Sequence, residues 1–316
     1  MSMVNIYILA SGAIAVPVIR ELTNSSVINI CGISTQPDKP VGRKKILTPT
    51  PVGQWADENN ISCERCTNVN DPEFIKKLKS LKPDIILVFA FGQLLKEEIL
   101  SLPSNGCINL HASILPKYRG AAPINAAILE GDAETGVSVM QMEKGLDTGP
   151  VYDIFKIDIS DNDTAESLEN KLAELAAEIT VGALLKIAND GQQPVPQDES
   201  KATHVGKISK NDGLISWNST AKQVIRKIRA FTPWPGVFFR ISTPKGDKKI
   251  QVTECEAEEC IDHPTPGTVL QADKYGWTIA CEKSVLKLLR IIPEGKKEMK
   301  ATDFLLGCQV EAGSVL

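Results

Sequence analysis

A doubly wound, mostly parallel α/β sheet followed by a smaller C-terminal β-barrel of OB-like type is the fold that this 316-residue sequence predicts. Three observations carry the expectation. Apolar strand-like runs alternate with helical patterns through roughly the first 190 residues. One run, 83–90 (PDIILVFA), is apolar without a break, as in a strand covered on both faces. After residue 206, short strand-like runs separated by turn signals recur.

Taken in order, Val4–Ala10 reads as the first strand, Ser11 and Gly12 as a turn, the next residues to 22 as a helix, and 27–34 as a second strand. Only Gly12 stands where a dinucleotide fingerprint needs three glycines, which disfavours a nicotinamide or flavin dinucleotide. Residues 35–51, TQPDKPVGRKKILTPTP, are proline-rich and read as a long loop carrying Lys39, Arg43, Lys44 and Lys45. Those cations suit either phosphates or a solvated face. Residues 51–59 read as a helix, 61–66 as a short strand, 72–81 as a helix and 83–90 as the central parallel strand. Phe91, Gly92, Gln93, Leu94 and Leu95 follow at its carboxyl end, where open α/β sheets bind ligands. Next come a strand at 107–112, the turn Ser113, Ile114, Leu115 and Pro116, a helix at 123–129 and a strand-like run at 136–142. Asp163 or Thr164 caps a long amphipathic helix that ends near Asn189. The pattern is Rossmann-like in layout.

Length and composition suggest two domains, at 1–190 and 207–316, joined by a polar, proline-containing linker at 191–206. A helix at 221–230 opens the second, and strands are expected at 237–241, 249–255, 267–272, 277–281 and 285–292. With 42% hydrophobic and 23% charged residues the chain has the make-up of an ordinary globular protein. No apolar run reaches membrane-spanning length and the N-terminus shows no basic leader, so a cytoplasmic protein with no membrane partner is expected. Cys63 and Cys66 form one CxxC, but neither a second close pair nor a nearby His completes a zinc set, and no metal is expected. Net charge is −4 overall, divided as −9 over residues 1–200 and +5 over 201–316. The basic C-terminal part suits either a polyanion surface or a solvated face.

The chemistry concentrates between Cys107 and Tyr152. Asn109 and His111, two apart on one strand, leave the same face of the sheet. Asp147 lies in the turn GLDTG after the next strand and can return to the same edge. Singly, each residue has a structural explanation: Asn109 or Asp147 could fix a turn, and His111 could be a satisfied core histidine. Together, an amide donor, an imidazole and an orienting carboxylate suit acyl transfer through a tetrahedral intermediate. No Ser or Cys sits in a nucleophile elbow, so the attacking group belongs to a substrate.

The segments NLHASILPKYRGAAPI and GDAETGVSVMQMEKGLDTG, with TQPDKPVGRKK, FGQLL and AFTPWPG, resemble the folate-dependent formyltransferase family over nearly the whole chain. The resemblance implies catalysis by Asn109, His111 and Asp147, with 10-formyltetrahydrofolate as co-substrate. It places the folate beside Phe91, Gly92, Gln93, Leu94, Leu95, Ser113, Ile114, Leu115 and Pro116, read mainly through backbone groups. It further implies that the acceptor is the α-amino group of an initiator methionyl-tRNA, in translation initiation. Lys39, Arg43, Lys44 and Lys45 would then clamp the acceptor arm, 1–190 would be the catalytic domain and 207–316 a tRNA-binding barrel, in a monomer. Two departures stand out. Ser11, Gly12, Ala13, Ile14 and Ala15 replace the family's Gly-Thr-Pro-x-Phe-like turn, and no Gly separates Arg43 from the lysines.

Overall fold

The computed structural model describes residues 3–42, 44–242, 246–259 and 264–316. These fall into two compact units: residues 1–123, 134–158 and 168–205 form the first, and 124–133, 159–167 and 206–316 the second. Residues 191–205 are grouped with the first unit, and Gly206 with the second.

The chain runs through β1 (Val4–Ala10), α1 (Val16–Asn24), β2 (Ile28–Thr35), β3 (Lys39–Val41), β4 (Ile46–Thr48), α2 (Pro51–Glu58) and β5 (Glu64–Arg65). It continues through α3 (Pro72–Leu81), β6 (Ile85–Phe89), α4 (Glu97–Leu100), β7 (Cys107–His111), β8 (Arg119–Gly120) and α5 (Pro123–Glu130). Then follow β9 (Glu134–Gln141), β10 (Val151–Asp158), α6 (Ala165–Asn189) and β11 (His204–Val205). Local chemistry explains the boundaries. The Thr50 hydroxyl accepts the Gly53 N–H and Pro51 pre-sets the first turn of α2. Asp71 caps α3 in the same way through Glu73, and Lys82 closes it in the left-handed conformation.

The strands of the first unit make one seven-stranded sheet in the order β10-β9-β7-β6-β1-β2-β5. From β7 to β5 the pairs are parallel, while β9 and β10 run antiparallel at one edge. All five residues of β6 are buried, as its unbroken apolar sequence requires. The chain leaves β1 toward β2 and β5, then returns to β6 on the other side of β1. That reversal is a topological switch point, and the carboxyl ends of β1, β6 and β7 beside it are where ligands bind in such sheets. β10 is an edge strand whose alternating burial differs from the interior strands.

Two expectations are corrected. Residues 35–51 are not a structureless loop: β3 and β4 pair as a hairpin, Lys39 opposite Thr48 and Val41 opposite Ile46. Its turn is closed by Lys45 N–H to the Gly42 carbonyl at 3.2 Å, with Gly42 at φ +71°. Proline masks this in the sequence, although an isolated two-stranded ribbon has free edges that tolerate Pro40. The strand expected over 61–66 shrinks to Glu64 and Arg65, paired at their β2 edge only.

In the second unit α7 (Ala221–Ala230), β12 (Val237–Ile241), β13 (Lys248–Glu259), β14 (Val269–Ala272), β15 (Trp277–Cys281), β16 (Ser284–Pro293), β17 (Met299–Lys300) and α8 (Ala301–Leu305) follow in order. The strands curl into an antiparallel half-barrel in the order β12-β13-β16-β15-β14, with β17 on β16. Trp277 lies in its core, stacked on Phe304 at 5.7 Å and edge-on to Phe239 at 5.6 Å. A capping box between Thr220 and Gln223 starts α7. The same helix is bound to the earlier chain by Asn125 donating to the Ala230 carbonyl at 2.6 Å and Arg226 to that of Glu130 at 3.3 Å. No helix among the described residues is long and apolar enough to cross a membrane.

Candidate active site

β7 lies inside the sheet, between β6 and β9, and ends at the switch-point edge. Asn109 stands opposite Val88 and Met140, and His111 opposite Ser138, which fixes the register of both polar residues. His111 is 6% exposed, and its Nε2 lies 2.9 Å from the Tyr118 carbonyl oxygen. A carbonyl can only accept, so Nε2 carries the proton and Nδ1 is left toward Asp147. The Nδ1 to Asp147 Oδ2 distance is 3.7 Å, an ion-pair distance that exceeds a direct hydrogen bond. The structure therefore brings His111 and Asp147 together, as the sequence led one to expect.

Asp147 adopts φ +54°, the left-handed conformation that Asp tolerates better than most residues. Its Oδ2 accepts the Gly120 N–H at 2.8 Å, and Oδ1 takes no hydrogen bond from the described residues. Gly120 itself has φ +117°, and a Cβ there would overlap the Val205 carbonyl, so only glycine fits. Asn109 is half-buried and its side-chain amide makes no hydrogen bond with any described residue. That leaves its donors for a ligand. Cys107 is on the same strand face, but burial pushes its thiol up to about 12, which removes it as a nucleophile. Among the described residues no three His, Cys, Asp or Glu side chains are grouped to hold a metal ion.

The turn after β6 is held in place by its neighbours. Gln36 Nε2 donates to the Phe91 carbonyl at 2.7 Å, Ser11 Oγ approaches the same oxygen at 3.4 Å, and Gly12 N–H reaches the Ala90 carbonyl at 3.2 Å. Ser11 and Gly12, the residues that depart from the family's usual turn, thus keep a supporting part. Phe91 and Leu95 are buried in a cluster with Tyr7, Phe74 and Ile99, and Gly92 has φ +80°. Gln93 is committed to the backbone: its Oε1 accepts from Val69 and its Nε2 donates to Cys66. Leu94 is 70% exposed. Backbone groups and Leu94 are therefore what this turn can offer a ligand.

The second turn is built against β9. Ser138 Oγ donates to the Ser113 carbonyl at 2.6 Å and accepts from Leu115 N–H at 3.1 Å, while Ser113 Oγ donates to the Lys117 carbonyl. Leu115 is buried, and Ile114 and Pro116 are half-exposed. Ser138 had a legible signal, a hydroxyl among valines in GVSVMQM, which the sequence reading passed over. On the hairpin, Lys39, Lys44 and Lys45 are exposed, with Lys39 Nζ bound to Gln36 Oε1 at 2.7 Å. Arg43 lies outside the described residues.

A free amide donor and an imidazole beside a carboxylate, at the carboxyl end of a doubly wound sheet, are features that suit group transfer between two bound substrates in an α/β enzyme. Comparison with known proteins carries this further. Residues 4–184 match the family model described as formyl transferase, and 207–309 that of the formyl transferase C-terminal domain. The chain belongs to the formyl transferase family and is an enzyme of that class. It is 38% identical over 287 residues to the methionyl-tRNA formyltransferase of Magnetococcus marinus, covering 91% of this chain and 90% of that protein. To the enzyme of the same name from Dictyoglomus thermophilum it is 43% identical over 290 residues, covering 90% and 92%. Among solved structures, the N-formyltransferase from Helicobacter canadensis in complex with folinic acid and dTDP-3-aminofucose shares the fold at TM-score 0.64 and 17% identity, over 91% of this chain and 99% of that one. HypX from Aquifex aeolicus in complex with tetrahydrofolic acid shares it at TM-score 0.57 and 15% identity, over 96% of this chain and about half (47%) of that one.

Proposed function

We propose that this enzyme transfers the formyl group of 10-formyltetrahydrofolate to the α-amino group of methionyl-tRNA. The observation that carries the mechanism is the placement of Asn109, His111 and Asp147 at one sheet edge, with His111 and Asp147 3.7 Å apart. The acceptor is supported by relatives named methionyl-tRNA formyltransferase over some nine-tenths of their length. The amine nitrogen attacks the formyl carbon, and the tetrahedral intermediate collapses by breaking the bond to N10 of the folate. The proton lost by the amine ends on N10, so the balance needs no further reactant. Asn109 donates to the formyl oxygen as negative charge develops, and His111, held between the Tyr118 carbonyl and Asp147, lines the same centre. Asp147 presents Oδ1 to the amine proton while Gly120 holds Oδ2. An α-amino group titrates near ~7.7–8.0, so roughly a tenth to a sixth of it is already the free nucleophile at pH 7 and no strong base is needed to supply the rest; orientation and oxyanion stabilisation carry most of the catalysis.

The turns holding Phe91, Gly92, Gln93, Leu94 and Leu95 and Ser113, Ile114, Leu115 and Pro116 are the proposed folate contacts. The hairpin bearing Lys39, Arg43, Lys44 and Lys45 is the proposed phosphate surface for the acceptor arm. RNA helices are recognised chiefly through shape and phosphates, which suits a basic projecting ribbon. The test is acceptor competition: labelled 10-formyltetrahydrofolate is offered with methionyl-tRNA, glycinamide ribonucleotide and water together. Formyl-methionyl-tRNA as the dominant product is expected; preferential label in either of the others would overturn the assignment.

A further inference from the structure

We propose that Gln197, oriented by Arg119, is a positioning residue that sets the catalytic carboxylate of Asp147. The proposal rests on the active-site reading above and deepens it. Arg119 lies within the segment that carries the chemistry but was given no part in it, and Gln197 comes from the stretch expected to be a linker.

Arg119 is 1% exposed, the single fully buried Lys or Arg among the described residues. A guanidinium is costly to bury unless its donors are matched, and four hydrogen bonds match them here. Nε and Nη2 reach Gln197 Oε1 at 3.1 and 2.9 Å, and Nη1 and Nη2 reach the two Glu199 carboxylate oxygens at 2.9 and 2.7 Å. A side-chain amide has ends of nearly equal shape and opposite chemistry. Because Arg119 can only donate, Oε1 must face it, and the amide NH2 must face away.

What that NH2 meets is the catalytic turn. Nε2 donates to the Asp147 carbonyl at 2.8 Å and to the Gly149 carbonyl at 2.7 Å, so both amide protons grip GLDTG from the left-handed Asp147 to its last glycine. On the other side of the same turn, the N–H of Gly120, next in sequence to Arg119, holds Asp147 Oδ2. Pairing of β8 with β11 ties both supports together: Arg119 stands opposite His204 and Gly120 opposite Val205. The main chain and the carboxylate of Asp147 are thus fixed from two points that share one buried cation. The distance to His111 is already too long for a hydrogen bond, and a displacement of about 1 Å in such an arrangement costs on the order of 100-fold in rate.

Gln197→Glu discriminates well. It retains the size and strengthens the pairing with Arg119, yet sets an oxygen in place of the NH2 against two carbonyls. The expected result is a kcat lower by roughly 10- to 100-fold, with KM for 10-formyltetrahydrofolate and for methionyl-tRNA both close to wild type. In an Asp147→Asn background the same substitution should lose most of its effect, because a residue acting through the carboxylate is coupled to it. Should Gln197→Glu not fold, Gln197→Met, which keeps the volume and has no donor, is measured in the same way. A kcat within about twofold of wild type, an effect confined to KM, or independent multiplication of the two losses would overturn the positioning role. If Asp147→Asn itself turned over normally, the reading of the active site would fall and the proposal with it; an impaired Asp147→Asn beside an unimpaired Gln197→Glu would sink the proposal alone.

Discussion

Each of the three proposed catalytic side chains is specified by backbone groups. The Tyr118 carbonyl decides which nitrogen of His111 is protonated, Gly120 N–H decides which oxygen of Asp147 is occupied, and strand register alone points Asn109. This explains what could be read beforehand. Asn109, His111 and Asp147 are recognisable because an amide, an imidazole and a carboxylate are side chains with chemistry of their own. Tyr118, Gly120 and Gln197 are not, since an amide or a carbonyl that only holds another residue looks like any other until the fold closes. Glu199 offers a residue-scale test. Hydrogen bonding to Arg119 holds its carboxyl below the ordinary 4.5. A depressed carboxylate contributes stability above its unfolded value, and that contribution is lost as pH falls through the folded one. The difference in thermal midpoint between wild type and Glu199→Gln should therefore be constant from pH 8 to about 5 and close below 4.5. Because Glu199 is 70% exposed the difference is small, and one that grew on acidification would contradict the pairing.

At the scale of elements, α2 and α3, with a proline at the first turn and a polar cap, and α7, with its Thr220–Gln223 capping box, stood out because their boundaries are written in local chemistry. β10 and the β3–β4 hairpin did not. The first, VYDIFKID, does alternate as a half-buried edge strand should, a signal that went unused, and the second combines proline with lysine, a composition shared with loops. The hairpin exposes Val41, Ile46 and Leu47 at 55–65% along with Lys44 and Lys45, so it stands out from the unit without being unstructured. If it meets tRNA phosphates, replacing Lys44 and Lys45 together by Ala should raise KM for methionyl-tRNA, leave kcat nearly unchanged and lower the slope of log KM against log salt by roughly one per contact. An unchanged slope would remove the hairpin from the RNA surface.

At the scale of the whole molecule, the sequence divides an acidic first part, −9 over residues 1–200, from a basic remainder, +5 over 201–316. The family match covers both parts, residues 4–184 and 207–309. Alternation of strands and helices made the first fold legible, and turn spacing made the half-barrel legible. Residues 124–133 and 159–167 are grouped with the C-terminal unit, where hydrogen bonds from Asn125, Arg226 and Arg229 hold them and no local pattern announces it. The central claim concerns the site in the first unit, and single-turnover formyl transfer with both substrates saturating tests it most directly. For Asn109→Ala and His111→Ala the expected rate is lower by roughly 10²- to 10³-fold, the loss found when one oxyanion donor is removed. Rates within about threefold of wild type for both variants would contradict the mechanism.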